Sequence, residues 1–124
     1  KMGGIISQLA FPVPDPEWSR GVLISNPQLL RLETTKKEMI PALHITTPGS
    51  HFTILYSHGN AEDIGISLPY YEVMAQHLKV DVFAYEYVGY SLSALEGAKP
   101  SETSCLRSID AAWRYLVTEA GVDA

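Results

Sequence analysis

The strongest constraint on this chain is Phe52-Thr53-Ile54-Leu55-Tyr56, a short apolar, β-favouring run that ends abruptly at Ser57-His58-Gly59-Asn60-Ala61-Glu62-Asp63. A continuous run of this kind, bounded by glycine and asparagine, fits a buried strand of a parallel sheet. Helical content from about Ile66 to Leu78 follows it. A strand that opens through a glycine-containing turn into a helix is the usual ligand position in an open α/β sheet. Glycine lets backbone approach a ligand closely, and the unpaired N–H groups of the turn and helix start face negative charge.

Ahead of that run, prolines at 12, 14 and 16 exclude helix and central strand from Phe11 to Trp18, predicting an extended arm. Gly21-Val22-Leu23-Ile24 is a short apolar run that fits either a strand or packing. Leu29 to Thr35 and Glu38 to Thr46 read as antiparallel strands joined through Lys36-Lys37, with Leu30, Leu32 and Thr34 alternating against Arg31 and Glu33. Pro41 places the second of these at an edge or a bulge. Thr47-Pro48-Gly49-Ser50 is a turn.

After the central turn, the helix carries Leu68, Tyr71, Val73 to Ala75 and Leu78, with Pro69 near its start. Val82 to Tyr85 is the next buried strand, and Gly89 to Gly97 a loop of small residues. Ser101 caps a further helix whose Leu106, Ile109, Trp113, Leu116 and Val117 recur at helical spacing, ending near Gly121. The order predicts an α/β fold, a mostly parallel sheet begun by antiparallel strands, with right-handed crossovers putting the two helices on a face of it. The division is an arm over residues 1–20 and a domain over 21–124.

Composition narrows the function classes. A net charge of −5 with both signs dispersed leaves no electrostatic footprint for nucleic acid. The single Cys105 excludes an internal disulfide framework and a cysteine-cluster metal site, and fits a small hydrophobe on the inner face of a helix. His44, His51 and His77 are scattered without metal-ligand spacing, so neither a metal nor a cofactor is expected. No apolar run approaches the roughly 20 residues of a membrane span and no secretory signal is visible, so a cytoplasmic location is expected. Met2-Gly3-Gly4-Ile5-Ile6-Ser7 fits the myristoylation pattern on Gly3 if Met2 is the initiator, which would add a membrane-surface association. The alternative is an ordinary chain start with two chance glycines, and one myristoyl chain alone binds membranes only marginally.

Three blocks in order carry a family resemblance. Ser57-His58-Gly59-Asn60-Ala61 with Asp63 and Gly65 resembles the His-Gly turn after the third strand of α/β-hydrolases. Phe83-Ala84-Tyr85-Glu86-Tyr87, Val88-Gly89-Tyr90 and Pro100-Ser101-Glu102 form the second block, and Ile109-Asp110-Ala111-Ala112-Trp113 the third. Together they are similar to the α/β-hydrolase-domain-17 subgroup of serine hydrolases, the protein depalmitoylases. Ser91 departs from it, standing where a second glycine is usual, and the loop from Ser93 to Lys99 is slightly longer. The subgroup's amino-terminal cysteine cluster has no counterpart here.

The resemblance implies the amino-terminal part of an α/β-hydrolase fold and an esterase or thioesterase acting on an acyl ester or thioester, including that of a lipidated protein. One oxyanion donor would be the backbone N–H of Asn60, with Ala61 the next candidate, and Gly59 and His58 shaping the turn. The catalytic base comes last in chain order in this fold, so His58 is expected to hold the turn through its ring. Adjacent Glu62 and Asp63 complement the helix dipole, and Tyr85, Tyr87 and Tyr90 pack beside the pocket. No Gly-x-Ser-x-Gly occurs, and the family's nucleophile strand would follow the Ile109–Trp113 helix. The chain alone is therefore expected to be inactive, needing a carboxyl-terminal half or another chain. The alternative is a truncated, non-catalytic binding or structural module.

Overall fold

The structure is a computed structural model; it describes residues 9–14 and 16–124. Gly3 and the myristoylation pattern lie outside the described residues. Four strands form one sheet: β1 (Leu30–Glu33), β2 (Met39–Ile45), β3 (Thr53–Tyr56) and β4 (Asp81–Tyr85), in the order β1-β2-β4-β3. β1 and β2 are antiparallel, as are β2 and β4, whereas β3 and β4 run parallel. A parallel pair needs a crossover, supplied by a helix over Ile64–Leu78.

The first departure from the sequence reading is a helix, α1, over Glu17–Ile24. It replaces the end of the expected arm and takes in the apolar run over residues 21–24, which fitted either a strand or packing. The prolines constrain only what precedes it: Pro16 is its extended N-cap residue, and Glu17 supplies negative charge to the first turn. One helical turn separates Ser19 from Leu23, and both are 0% exposed.

Pro41 is also not where a proline was expected. β2 is an interior strand, flanked by β1 and β4. Pro41 nevertheless sits just past the last β2–β4 pair, Ala42↔Tyr85, with its carbonyl accepting from the Glu86 N–H at 3.0 Å. Its missing donor therefore costs only the reciprocal bond of that terminal position, at the very end of the β2–β4 ladder. Conversely β3, read as fully buried, is half-buried throughout, because it pairs with β4 alone.

The Ile64–Leu78 helix, α2, and the helix over Glu102–Arg114, α3, lie on opposite faces of the sheet rather than one. Alternation along β4 explains how both faces are apolar. Val82 and Ala84 pack with Leu43, Leu23, Ile64, Tyr71 and Ala75 of the α1–α2 side. Phe83 and Tyr85 pack with Ile40, Ala42, Ala111, Ala112 and Leu116 of the α3 side. Pro69 lies well inside α2 rather than at its first turn.

The inward face of α3 is built of small residues, Ser104, Ser108, Ala111 and Ala112, with Leu116 in the π-helical turn Tyr115–Glu119 that continues it. Leu106, Trp113, Ile109 and Val117, the rest of the expected apolar stripe, are 63%, 49%, 39% and 39% exposed. Serine wins the inward positions through specific bonds. Ser108 donates to the Ser104 carbonyl and accepts from the Val88 N–H. Ser101 and Ser104 form a reciprocal capping box. The stretch between β4 and α3, expected as loop, includes a 3-10 helix over Ser91–Glu96.

Candidate active site

The carboxyl ends of β3 and β4 meet at the turn Ser57–Glu62. Beside it, on the α3 side, is a cleft of about 300 Å³ lined by Phe11, Ser57, His58, Gly59, Asn60, Tyr85, Tyr87, Tyr90, Cys105 and Leu106. Asn60 is exposed, and no acceptor takes its backbone N–H among the described residues. Ala61 holds a left-handed backbone at φ 58°, a conformation L-residues enter only when the surroundings impose it.

Those surroundings centre on His58 and Glu86. His58 is 4% exposed and Glu86 0%. One ring nitrogen of His58, Nδ1, lies 2.9 Å from the Gly59 carbonyl; the other, Nε2, meets Glu86 Oε1 in a close contact. A carbonyl can only accept, so Nδ1 carries a hydrogen, and the Nε2–carboxylate contact shares a further proton. Glu86 also accepts from the Ile64 N–H at 3.0 Å and the Tyr87 N–H at 2.8 Å. It thereby ties the turn, the start of α2 and the end of β4 into one unit. Burial works to lower the His58 pKa, but the Glu86 carboxylate and the Gly59 carbonyl outweigh it and hold the ring above its ordinary value.

A second anchor is Asp63. Its Oδ1 accepts from the Ile66 N–H at 2.8 Å, capping α2, and from the Ser19 hydroxyl at 2.6 Å. Gly65 packs against Ser19 so closely that an added Cβ would lie 2.2 Å from Oγ and 2.6 Å from the carbonyl oxygen. Glu62 is half-buried over the turn, with the Ser67 hydroxyl 3.4 Å from its Oε1.

Three tyrosines wall the cleft. Tyr85 shares a 2.6 Å hydrogen bond with the Ser57 hydroxyl, and Tyr87 donates to the His58 carbonyl at 2.5 Å. Burial raises all three phenols, Tyr85, Tyr87 and Tyr90, so they stay neutral. Cys105 is half-buried at the cleft rather than sealed inside a helix face, and burial holds its thiol up as well. His44 and His77 stand apart from the cleft, and among the described residues no group of three or more His, Cys, Asp or Glu side chains could hold a metal ion. No helix among them is long and apolar enough to cross a membrane.

Sequence reasoning did not single out Glu86 or Ser19. The signal for Glu86 was a lone carboxylate between the aromatic residues Tyr85 and Tyr87, a position where burial demands a partner. Nothing in the local sequence marks Ser19, whose role depends on a contact 44 residues away.

A sheet of this order, with helices on both faces and a glycine turn at the carboxyl end of β3, is an α/β-hydrolase fold. It is similar to an esterase of Pyrococcus furiosus, with a TM-score of 0.57 at 16% identity, over 88% of this chain and 40% of that one. No family model matches the sequence. Among curated proteins, the α/β-hydrolase domain-containing protein 17C of Xenopus tropicalis is 41% identical over 61% of this chain and 24% of its own length. The α/β-hydrolase domain-containing protein aho-3 of Caenorhabditis elegans is 33% identical over 95% of this chain and 41% of its own length. Protein 17B of Xenopus laevis is 32% identical over 97% and 49%. The chain spans less than half the length of these relatives. It belongs to the α/β-hydrolases, and within them its similarity is to the domain-17 proteins.

Proposed function

We propose that this chain is the amino-terminal part of a serine hydrolase that cleaves acyl esters or thioesters, contributing one oxyanion donor, the backbone N–H of Asn60. The observation that carries the reading is that this amide is unclaimed, at the mouth of a cleft, on a turn held by buried bonds. Preorganised donors of this kind stabilise the charge that develops on a carbonyl oxygen during acyl transfer. The remaining machinery (nucleophile, base and acid) would come from chain outside these residues, because they contain no Gly-x-Ser-x-Gly. In this reading, which follows the resemblance carried by the sequence blocks, the acyl group is borne by a lipidated protein at a membrane surface.

The test is to label the full-length protein with a fluorophosphonate and to follow ester hydrolysis in Asn60→Pro and Asn60→Ala variants. Asn60→Pro removes the N–H and should lower kcat by about 100- to 1,000-fold. Asn60→Ala keeps that donor and should retain most activity. Equal losses in both, or a correctly folded wild-type protein that takes no label, would refute the assignment.

A further inference from the structure

We propose that the Tyr90 hydroxyl is a ligand-contacting donor, hydrogen-bonding an oxygen of an uncharged acyl group held in the cleft. The proposal rests on the acyl-hydrolase reading of that cleft and names a second polar contact within it. Tyr90 is 1% exposed as a residue and lines the cleft, and its hydroxyl, which no described residue hydrogen-bonds, is not one of the unpartnered oxygens shut off from solvent. Its neighbours differ: the Tyr85 hydroxyl is satisfied by Ser57 and the Tyr87 hydroxyl by the His58 carbonyl. A phenol whose ring is packed while its oxygen stays open to the cleft keeps a donor free for a ligand there. Tyr71 and Ser91 also carry unpartnered hydroxyls, but those are sealed in the interior, whereas Tyr90 lines the cleft.

The ring is held in place before any ligand arrives. Its centroid lies 5.4 Å from those of both His58 and Tyr87. Its backbone is fixed by Tyr90 N–H donating to the Tyr87 carbonyl and by Ser93 N–H donating to its own carbonyl, both at 3.0 Å. A donor held in this way loses little freedom on binding. The ligand's charge follows from the walls. Among the described residues no lysine or arginine lines the cleft, and its apolar side is Phe11, Leu106 and the tyrosine rings. An anionic ligand would lose its hydration there without a countercharge, whereas a neutral acyl group offers a carbonyl oxygen to Tyr90 and Asn60.

Tyr90→Phe deletes one oxygen atom that bonds nothing in the protein, so its melting temperature should match the wild type. Binding of butyramide, a neutral carbonyl compound that is turned over slowly if at all, is measured by NMR titration on the full-length protein. It should weaken about 3- to 10-fold, the effect of one neutral hydrogen bond. Hydrolysis of p-nitrophenyl butyrate should lose at least as much in kcat/KM. Equal butyramide affinity in the two proteins overturns the proposal, as does absence of binding to both. Tyr90-dependent butyramide binding in a protein that hydrolyses no ester would sink the hydrolase reading and leave this inference standing. Full turnover with Tyr90→Phe would do the reverse.

Discussion

Ser91 stands in a left-handed backbone, φ 51°, is 3% exposed, and has a hydroxyl with no partner. Replacing it with glycine should stabilise the protein. The left-handed conformation costs an L-residue about 1–2 kcal/mol, and an unpaired buried hydroxyl about 1–3 kcal/mol. Against these stand about 0.4–1 kcal/mol for the freer unfolded chain that glycine brings, and the lost packing of a small side chain. With about 1 kcal/mol for that packing, the terms leave a net gain between about 0 and 3.5 kcal/mol, and a central value of about 2 kcal/mol raises the melting midpoint by about 8 °C. Ser91→Ala separates the two causes, since it deletes the hydroxyl and keeps the Cβ at a positive φ. Its gain should be the smaller. Circular dichroism melts and urea titrations of the three proteins decide the matter. A glycine variant that melts at or below the wild type, or no higher than the alanine variant, would refute the backbone part of the reasoning.

Two further changes probe the frame of the site. Glu86→Gln removes the charge from a fully buried partner of His58 and should cost about 3–5 kcal/mol in urea unfolding, the usual loss when one side of a buried pair is broken. The same pair sets a pH dependence. With its folded pKa raised, His58 contributes stability that is complete below its ordinary pKa, about 6.5, and is lost as pH rises through the folded value. Melts from pH 5 to 9 should show that decline in the wild type, and a flat His58 contribution across the range would contradict it. Gly65→Ala drives a methyl group into the Ser19 backbone and should destabilise by about 1–3 kcal/mol; an unchanged melting point would mean that α1 and α2 do not meet as described.

The sequence made the strands, the turn and both helices after the turn legible because periodicity and glycine–proline punctuation are local signals. Asp81–Tyr85 and Ile64–Leu78 fall within two residues of where they were expected. What it hid depends on contacts between distant residues. The inward face of α3 was obscured because serines at 104 and 108 look solvent-facing until their partners are known. Pro41 suggested an edge or a bulge because a local rule cannot say which strands will flank it. At the site, the glycine turn at His58–Asn60 was recognisable, while Glu86, which holds it, was visible only as one acid among aromatics. A buried charge declares its partner in space and not along the chain.

The seam between Ser19 and Gly65 decides where this domain can be cut. Backbone meets backbone there, and the carboxylate that starts α2 takes a bond from across the joint. A shortened protein beginning after Ile24 would strip that bond from Asp63 and uncover Ile64 and Tyr71, which now pack in one cluster with Leu23. The shortest expressible version therefore starts ahead of Pro16, and a protease that clips between α1 and β1 should leave the two pieces clinging together.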